Sequence, residues 1–395
     1  MVRRVLLLVI DGLGVGALPD AGLYGDEGSN TLGNLSRAAG GLHIPNLAAL
    51  GLTLCTEVWR TPSPAPHEVR GSWGVMTPAS PGKETMIGHW ELAGVTIDRP
   101  LDTFPHGFPP ELVARFQGLI GRQVLGNVPA SGTEIIARLG EKHLRTGFPI
   151  LYTSADSVFQ LAAHEGIVPV SLLYRWCQAA REMLDGSDFR VGRVIARPFA
   201  GEPAHFWRTA GRHDWALPPP GRTVLDALQD DGICVTGVGK IRDIFAGRGI
   251  GRHLPAAGNA AIMQAVDSVW GEMDRGLVVA NLVDFDMLYG HRNDVAGYAR
   301  ALAETDAWLG RLLKQVGEGD LLFITADHGC DPTTPSTDHS REAVPVLVTG
   351  GAWPGRGDLG RRRTFADLAA TLAEAFSISY RPVGARSFYQ HYQVA

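Results

Sequence analysis

Three mainly apolar runs, far apart in the chain, each end in an aspartate. Val5 to Ile10 leads into Asp11, Leu277 to Val283 into Asp284-Phe285-Asp286, and Leu321 to Ala326 into Asp327-His328-Gly329. Each run has the length of a strand and no period-two alternation, the pattern of a strand buried on both faces of a parallel sheet. In open α/β sheets the ligand crevice lies outside the carboxyl ends of the strands. The pattern therefore predicts that three carboxylates distant in sequence converge in space.

Helical patterns lie between these runs. From Asp294 to Val316, the residues Val295, Tyr298, Leu302, Leu309, Leu312 and Val316 recur on one helix face, with Asp294 as the N-cap. A shorter helical pattern begins at Thr223 to Leu228, before Gly232 and the apolar run Ile233-Cys234-Val235. Strands alternating with helices predict a doubly wound α/β core. Two turn-rich breaks interrupt it, Asp102 to Pro110 and Pro218-Pro219-Pro220. Between the breaks sit helical stretches at Glu134 to His143 and Pro169 to Leu184, and the run Pro149-Ile150-Leu151-Tyr152. The expectation is an inserted α+β cap domain over 100–218, with a metal-binding catalytic core split into 1–99 and 219–395.

Composition narrows the partners. With 395 residues, 45% apolar and 19% charged, the chain can bury a sizeable core and shows no disordered bias. A net charge of -5 gives no electrostatic reason to expect nucleic acid or an anionic membrane as partner. An anionic small-molecule substrate must then be held by metals or by a few Lys and Arg. Arg3-Arg4 before Val5 to Ile10 imitates a secretory signal, but the run stops at Asp11, short of the roughly 7–15 apolar residues such a signal needs. No stretch approaches the roughly 20 apolar residues of a membrane span. Cys55, Cys177, Cys234 and Cys330 are widely spaced and lack the CxxC pattern of a zinc site, which suits a reducing compartment. A cytoplasmic protein is expected.

The strand-end acids have histidines beside them. Asp286 precedes His291 by five positions, Asp327 is followed by His328, and His339 lies in the loop beyond Cys330-Asp331-Pro332. Such a mixed Asp/His set suits divalent ions such as Mn²⁺, Zn²⁺ or Mg²⁺. Two ions roughly 3.5–4 Å apart can clamp both oxygens of an in-line phosphoryl displacement. Taken one at a time, Asp11 also reads as a turn former, His291 as a surface residue and Asp-His-Gly as a simple turn. The coincidence of three acid-terminated strands with three histidines is what favours a metal site.

Pro81 to Glu91 is a glycine-bounded polar segment in which Thr85 can sit at a helix N-terminus, where backbone N–H groups favour an anion. Metal coordination would depress its hydroxyl pKa and make it a nucleophile. A helix cap is the competing reading. Gly82-Lys83 lacks the spacing of a P-loop.

With these residues the sequence resembles the phosphopentomutase family of the alkaline phosphatase superfamily. The matching motifs run in order along nearly the whole chain: Asp11 to Gly16 with Tyr24 to Ser29, Gly82 to Thr85 with Gly88 to Glu91, and Tyr152 to Gln160. They continue through Arg212-His213-Asp214, Val238 to Ile241, Asn281 to Arg292 and Thr325 to Gly329. The resemblance implies an alkaline-phosphatase-like core with an inserted cap, and two Mn²⁺ ions as the usual metals. One ion would be held by Asp11, Asp327 and His328, the other by Asp286, His291 and His339, with Thr85 touching both. It implies a phosphorylated Thr85 that exchanges its phosphoryl group with ribose 1-phosphate or ribose 5-phosphate through a sugar bisphosphate, which also primes the enzyme. For substrate contacts it suggests Ser154, Asp156, Arg193, Arg208 and Lys240, with the basic groups on the non-reacting phosphate. A closing cap would exclude water. Glu84, Ile87 and Gly211 depart from the family's usual Asp, Thr and Asn, and none of the three is a proposed ligand.

Overall fold

In a computed structural model of the chain, residues 2–154 and 157–389 are described, and the first apolar run forms strand Arg4–Ile10. It is the fourth of eight strands in a sheet ordered Arg252–Leu254, Val235–Val238, Gly276–Leu282, Arg4–Ile10, Asp320–Thr325, Val344–Thr349, Ser72–Met76, Gly357–Arg362. The three acid-terminated runs are therefore neighbours. They are parallel and in register, Leu8 lying beside Ala280 on one side and Ile324 on the other. Val5, Leu8, Val9 and Ile10 are fully buried, as are Leu277, Ala280 and Phe323, which accounts for apolar runs without alternation.

The sheet is mixed rather than wholly parallel. Strand Val344–Thr349 runs antiparallel to both of its neighbours. A strand buried on both faces carries the same apolar run in either direction, so composition does not report its polarity.

The helical patterns take the expected form. Helix Val295–Leu312 starts at Asp294, whose side chain accepts the Gly297 N–H at 2.8 Å. Helix Val224–Asp230 starts with a reciprocal box in which Thr223 Oγ1 accepts the Asp226 N–H and Asp226 Oδ2 accepts the Thr223 N–H.

The chain divides into two compact units, one of Met1–Arg99 with Pro219–Ala395 and one of Pro100–Pro218. The first contains the eight-stranded sheet. The second has its own sheet in the order Leu125–Pro129, Ile150–Thr153, Val158–His164, Arg193–Glu202, His205–Arg208, with His213–Ala216 also pairing on Arg193–Glu202. Helices Pro110–Ile120 and Val170–Asp185 pack on one face through Phe116, Phe159, Leu161, Leu173 and Val194. Helix Gly132–Thr146 packs on the other through Ile135 and Ile136, against Tyr152, Ala162 and Phe199.

Candidate metal centre

Each acid reaches the carboxyl edge of the large sheet by a different local device. Asp11 is the residue after Ile10, and Gly12 takes φ +78° beside Cys330, where a Cβ would crowd the Cys330 side chain. Asp327 follows strand Asp320–Thr325 by two residues, its Oδ1 accepting the Gly12 N–H at 3.2 Å. Strand Gly276–Leu282 stops short of its acids. Asp284 turns away to accept the Asn259 N–H at 2.7 Å, and Asp286 is carried on in a wide π-type turn, Phe285–Tyr289. Such turns aim single side chains and recur at functional sites.

The six Asp and His residues come together. His328 Nε2 lies 3.4 Å from Asp11 Oδ1 and 3.3 Å from Asp327 Oδ2. His291 Nε2 is 3.2 Å from Asp286 Oδ2, and His339 Nε2 is 3.1 Å from Asp286 Oδ1. The His328 and His339 rings stack at 3.8 Å, and His339 and His291 at 4.8 Å. Two groupings bring their ligand atoms within 4.8 Å of one another and could hold a metal ion: Asp11 with Asp327 and His328, and Asp286 with His328 and His339. A third pairs Asp286 and His291 with Cys330, a residue whose thiol no sequence pattern had singled out.

Two further observations bear on whether this set fits a cation. All three histidines donate Nδ1–H to a backbone carbonyl: His291 to Thr337 at 2.6 Å, His328 to Gly329 at 3.0 Å and His339 to Lys83 at 2.8 Å. That fixes the tautomer and turns each Nε2 lone pair inward. Meanwhile Asp11 Oδ1, Asp286 Oδ1 and Asp327 Oδ2 are buried with no hydrogen-bond partner, although Asn281 Nδ2 donates to the other Asp11 oxygen at 2.9 Å. Buried carboxylate oxygens without donors are costly unless a cation takes their place. The donor set fits divalent metal.

The electrostatics agree. Burial, with Asp327 and Asp286 adding to it, pushes Asp11 up to about 6. Burial also disfavours the charged forms of Asp327 and His328, but their mutual attraction outweighs it, holding Asp327 at about 2 and His328 at about 10. Asp286 is held well below the usual carboxylate range against its burial, chiefly by His339 and His291. The carboxylates thus draw a proton onto His328, and a divalent ion would displace it.

Thr85 stands at the edge of the cluster. It opens helix Thr85–Leu92, one residue inside the Glu84 N-cap, and its Oγ1 is 3.1 Å from His328 Nε2. The helix packs so closely that a Cβ at Gly88 would collide with the Asp327 carbonyl. One turn on from Thr85, buried His89 points Nδ1 at the Thr85 carbonyl at 2.9 Å and at Asp327 Oδ2 at 3.2 Å. His89, Asn281 and the Lys83 carbonyl escape sequence reasoning, although His89 lies inside a motif already quoted. Only the fold puts them behind the site.

The remaining candidates belong to other segments. Ser154, Arg193 and Arg208 belong to the Pro100–Pro218 unit: Ser154 just beyond strand Ile150–Thr153, Arg193 and Arg208 on its strands. Arg193 Nη1 is 4.0 Å from Asp214 Oδ2. Asp156 lies outside the described residues. Lys240 belongs to the other unit, exposed at the end of strand Val235–Val238, with Nζ 3.8 Å from Met287 Sδ.

Residues 3–380 match the family model described as the Metalloenzyme superfamily. The phosphopentomutase of Anaeromyxobacter dehalogenans strain 2CP-1 is 57% identical over 382 residues, 96% of this chain and 96% of that protein. That of Desulfitobacterium hafniense strain DCB-2 is 55% identical over 374 residues, 94% of this chain and 95% of its own length. The chain belongs to the phosphopentomutase family. Like its phosphopentomutase relatives it is an isomerase. Its fold is the doubly wound, alkaline-phosphatase-like arrangement. A solved structure of phosphoglycerate mutase from Leishmania mexicana shares that fold, at a TM-score of 0.51 with 13% identity, covering 98% of this chain and 97% of that one. No helix among the described residues is long and apolar enough to cross a membrane.

Proposed function

We propose that this chain interconverts ribose 1-phosphate, or its 2-deoxy counterpart, with the corresponding 5-phosphate through a phosphorylated Thr85 and a sugar bisphosphate. The observation that carries the proposal is the Thr85 hydroxyl 3.1 Å from His328 Nε2, at a helix N-terminus and beside a cluster of three aspartates and three histidines. Relatives named phosphopentomutase, 55–57% identical over nearly the whole chain, support the pentose phosphate as substrate.

Two divalent cations, Mn²⁺ by family resemblance, would be held by Asp11, Asp327 and His328 and by Asp286, His291 and His339. When bound they would supply neutralisation of phosphoryl oxygens and a lowered pKa for the Thr85 hydroxyl. The chain's own groups do the rest. Phosphorylated Thr85 gives up its phosphoryl group to the free hydroxyl of a pentose monophosphate: the bond from phosphorus to Thr85 Oγ1 breaks as a bond to the sugar oxygen forms, and the sugar hydroxyl proton ends on the departing Thr85 oxygen. The bisphosphate then returns its other phosphoryl group to Thr85 Oγ1, leaving the isomeric monophosphate. The helix N-terminus at Thr85 favours the anion in both steps. His89 steadies the nucleophile's backbone and Asp327 together.

Ser154, Asp156, Arg193, Arg208 and Lys240 are proposed substrate contacts, the cations serving the phosphate that is not transferred. Residues 100–218 would act as the cap over the catalytic core, in a cytoplasmic enzyme primed by sugar bisphosphate. The deciding measurement is a coupled mutase assay with Mn²⁺ and a bisphosphate primer, with inorganic phosphate followed in parallel. Conversion of ribose 1-phosphate to ribose 5-phosphate without phosphate release is expected. Rapid release of inorganic phosphate without isomerisation would instead make the chain a phosphatase.

A further inference from the structure

Thr85 follows a segment whose backbone is held largely by distant residues. Helix Thr85–Leu92 has no side-chain cap, and the Glu84 carboxylate instead turns back to accept the Lys83 N–H at 3.0 Å. A helix without its own cap does not fix its first residue by local means. The carbonyls of Ser80 and Gly82 both accept from Arg341 Nη1, at 2.9 and 2.8 Å. The Gly82 N–H donates to the Tyr24 hydroxyl at 3.1 Å, and the Lys83 carbonyl takes the His339 Nδ1–H at 2.8 Å. Lys83 Nζ lies 3.1 Å from Asp26 Oδ2 and 3.3 Å from Asp338 Oδ2.

Three of these partners, Asp338, His339 and Arg341, belong to one loop, which thus carries both a proposed metal ligand and the grip on the Thr85 segment. Arg341 is itself firmly anchored. It is 6% exposed, and its Nε and Nη2 each lie 3.1 Å from Asp20 Oδ2. Its backbone N–H donates to Asp26 Oδ2 at 2.8 Å, so Asp26 receives Arg341 and Lys83 together. The guanidinium also lies over the Tyr24 ring, 5.3 Å from its centroid.

This set of contacts calls for a guanidinium. One terminal nitrogen bridges two carbonyls on either side of Pro81 while the other two nitrogens meet a carboxylate, and the point charge of a lysine has no such fork. The turn being gripped is tight: Gly82 has φ +100°, and a Cβ there would collide with Glu84 Oε2 and the Ile87 side chain. Buried and with its donors on protein groups, Arg341 is not offered to a substrate anion. What it does set is where the Thr85 hydroxyl stands, three residues beyond Gly82 and 3.1 Å from His328 Nε2.

We propose that Arg341 is the positioning residue for Thr85: by gripping the Ser80 and Gly82 carbonyls it locks the nucleophile's segment to the loop that carries His339. The chemistry this serves rests on the mutase reading, in which Thr85 Oγ1 is the departing oxygen in one step and the attacking oxygen in the next. Both steps need the same oxygen in line with phosphorus, and a misplacement of about 1 Å at a reacting atom costs roughly a hundredfold. Tyr24 supports the grip from the N–H side of Gly82.

The test uses the full-length chain in two measurements. The first, with Mn²⁺, follows the rate at which sugar bisphosphate labels Thr85, beside steady-state mutase kinetics. Arg341→Met should lower the labelling rate and kcat by about a hundredfold while KM for ribose 5-phosphate stays within about threefold. Arg341→Lys keeps the charge without the fork and should fall nearly as far. A residue that only stabilised the fold would reduce the final amount of label and leave its rate alone. The second measurement is amide exchange in the metal-free chain, where Arg341→Met should speed exchange at residues 82–86 and leave strand Arg4–Ile10 unchanged. Should Arg341→Met fail to fold, Tyr24→Phe, which removes a single oxygen, decides alone, with a several-fold slower labelling expected. Where the parent takes label, an unchanged labelling rate in the folded variants overturns the proposal, as does a raised KM with kcat intact. Where the parent takes no label, the mutase reading falls by itself: faster exchange at 82–86 then still supports the grip, and unchanged exchange overturns it.

Discussion

Thr85 Oγ1 lies 3.1 Å from His328 Nε2, so the proposed nucleophile touches a residue of the cluster that the proposal assigns to metal. The mechanism accordingly requires phosphate on Thr85 in active enzyme. Peptide mass analysis of protein incubated with sugar bisphosphate should find one phosphoryl group at that residue. Thr85→Ala should lose the label and at least roughly a thousandfold in turnover. It should still bind metal, because the six Asp and His donors remain. Active protein without phosphate at Thr85 would refute the assignment.

His89 tests the support behind the centre. It is buried, its Nδ1 donates to the Thr85 carbonyl at 2.9 Å, and the same nitrogen lies 3.2 Å from Asp327 Oδ2. Groups that orient metal ligands in this way commonly contribute about 10–100-fold in metal affinity. His89→Leu should weaken Mn²⁺ binding by about that factor and lower kcat. Asp327→Ala, which removes a proposed ligand outright, should abolish binding and nearly all activity. Metal titration of the two variants separates the effects; equal, undiminished metal content in both would remove Asp327 from the ligand set.

Metal affinity should rise with pH. His328 is held up at about 10 and Asp11 at about 6, and His291 is raised by its hydrogen bond to Asp286. At neutral pH the unliganded His328 imidazole carries a proton that a cation must expel, so each proton released adds up to about one decade of affinity per pH unit. Between about pH 6 and 9 affinity should climb throughout, and below pH 6 protonation of Asp11 should steepen the loss. Calorimetric titrations in buffers of different ionisation enthalpy count the protons directly. A flat affinity profile with no proton release would contradict this electrostatic picture.

Glu91 is a structural prediction separate from the chemistry. It is fully buried and accepts the N–H groups of Ala79, Ser80 and Phe365 together with the Thr364 hydroxyl, tying the segment before Thr85 to the chain beyond residue 363. Glu91→Leu would leave four donors without an acceptor, three of them, on Ser80, Thr364 and Phe365, buried. The expected loss is about 3–5 kcal/mol in chemical denaturation. A loss below about 1 kcal/mol would mean that water or a local shift satisfies these donors.

The three acid-terminated strands, the doubly wound class and the start points of the helices at Asp294 and Thr223 were legible in the sequence. The reasons are local: an apolar run without alternation reports burial on both faces, and Asp294 and Thr223 cap helices through their own next turn. Distant residues were legible only where the strand rule applies. It draws Asp11 and Asp327 to one edge because their strands are in-register neighbours. It does not distinguish Asp284 from Asp286, since that choice depends on Asn259, which claims the first acid and leaves the second to the π-type turn.

What the sequence by itself determined was a set of buried strands ending in acids, with histidines nearby and a threonine in a polar turn. Tertiary structure alone decided what stands behind them. The carbonyls of Thr337, Gly329 and Lys83 fix the three imidazole tautomers, and neither carbonyls nor tautomers leave a trace in residue identity. Likewise the buried, unpartnered oxygens of Asp11, Asp286 and Asp327 follow from strand register and from the turn Phe285–Tyr289. An aspartate reads the same in sequence whether or not it has a partner. Pairing is set by long-range packing, and it is unpartnered buried carboxylate oxygens that mark where a cation would bind.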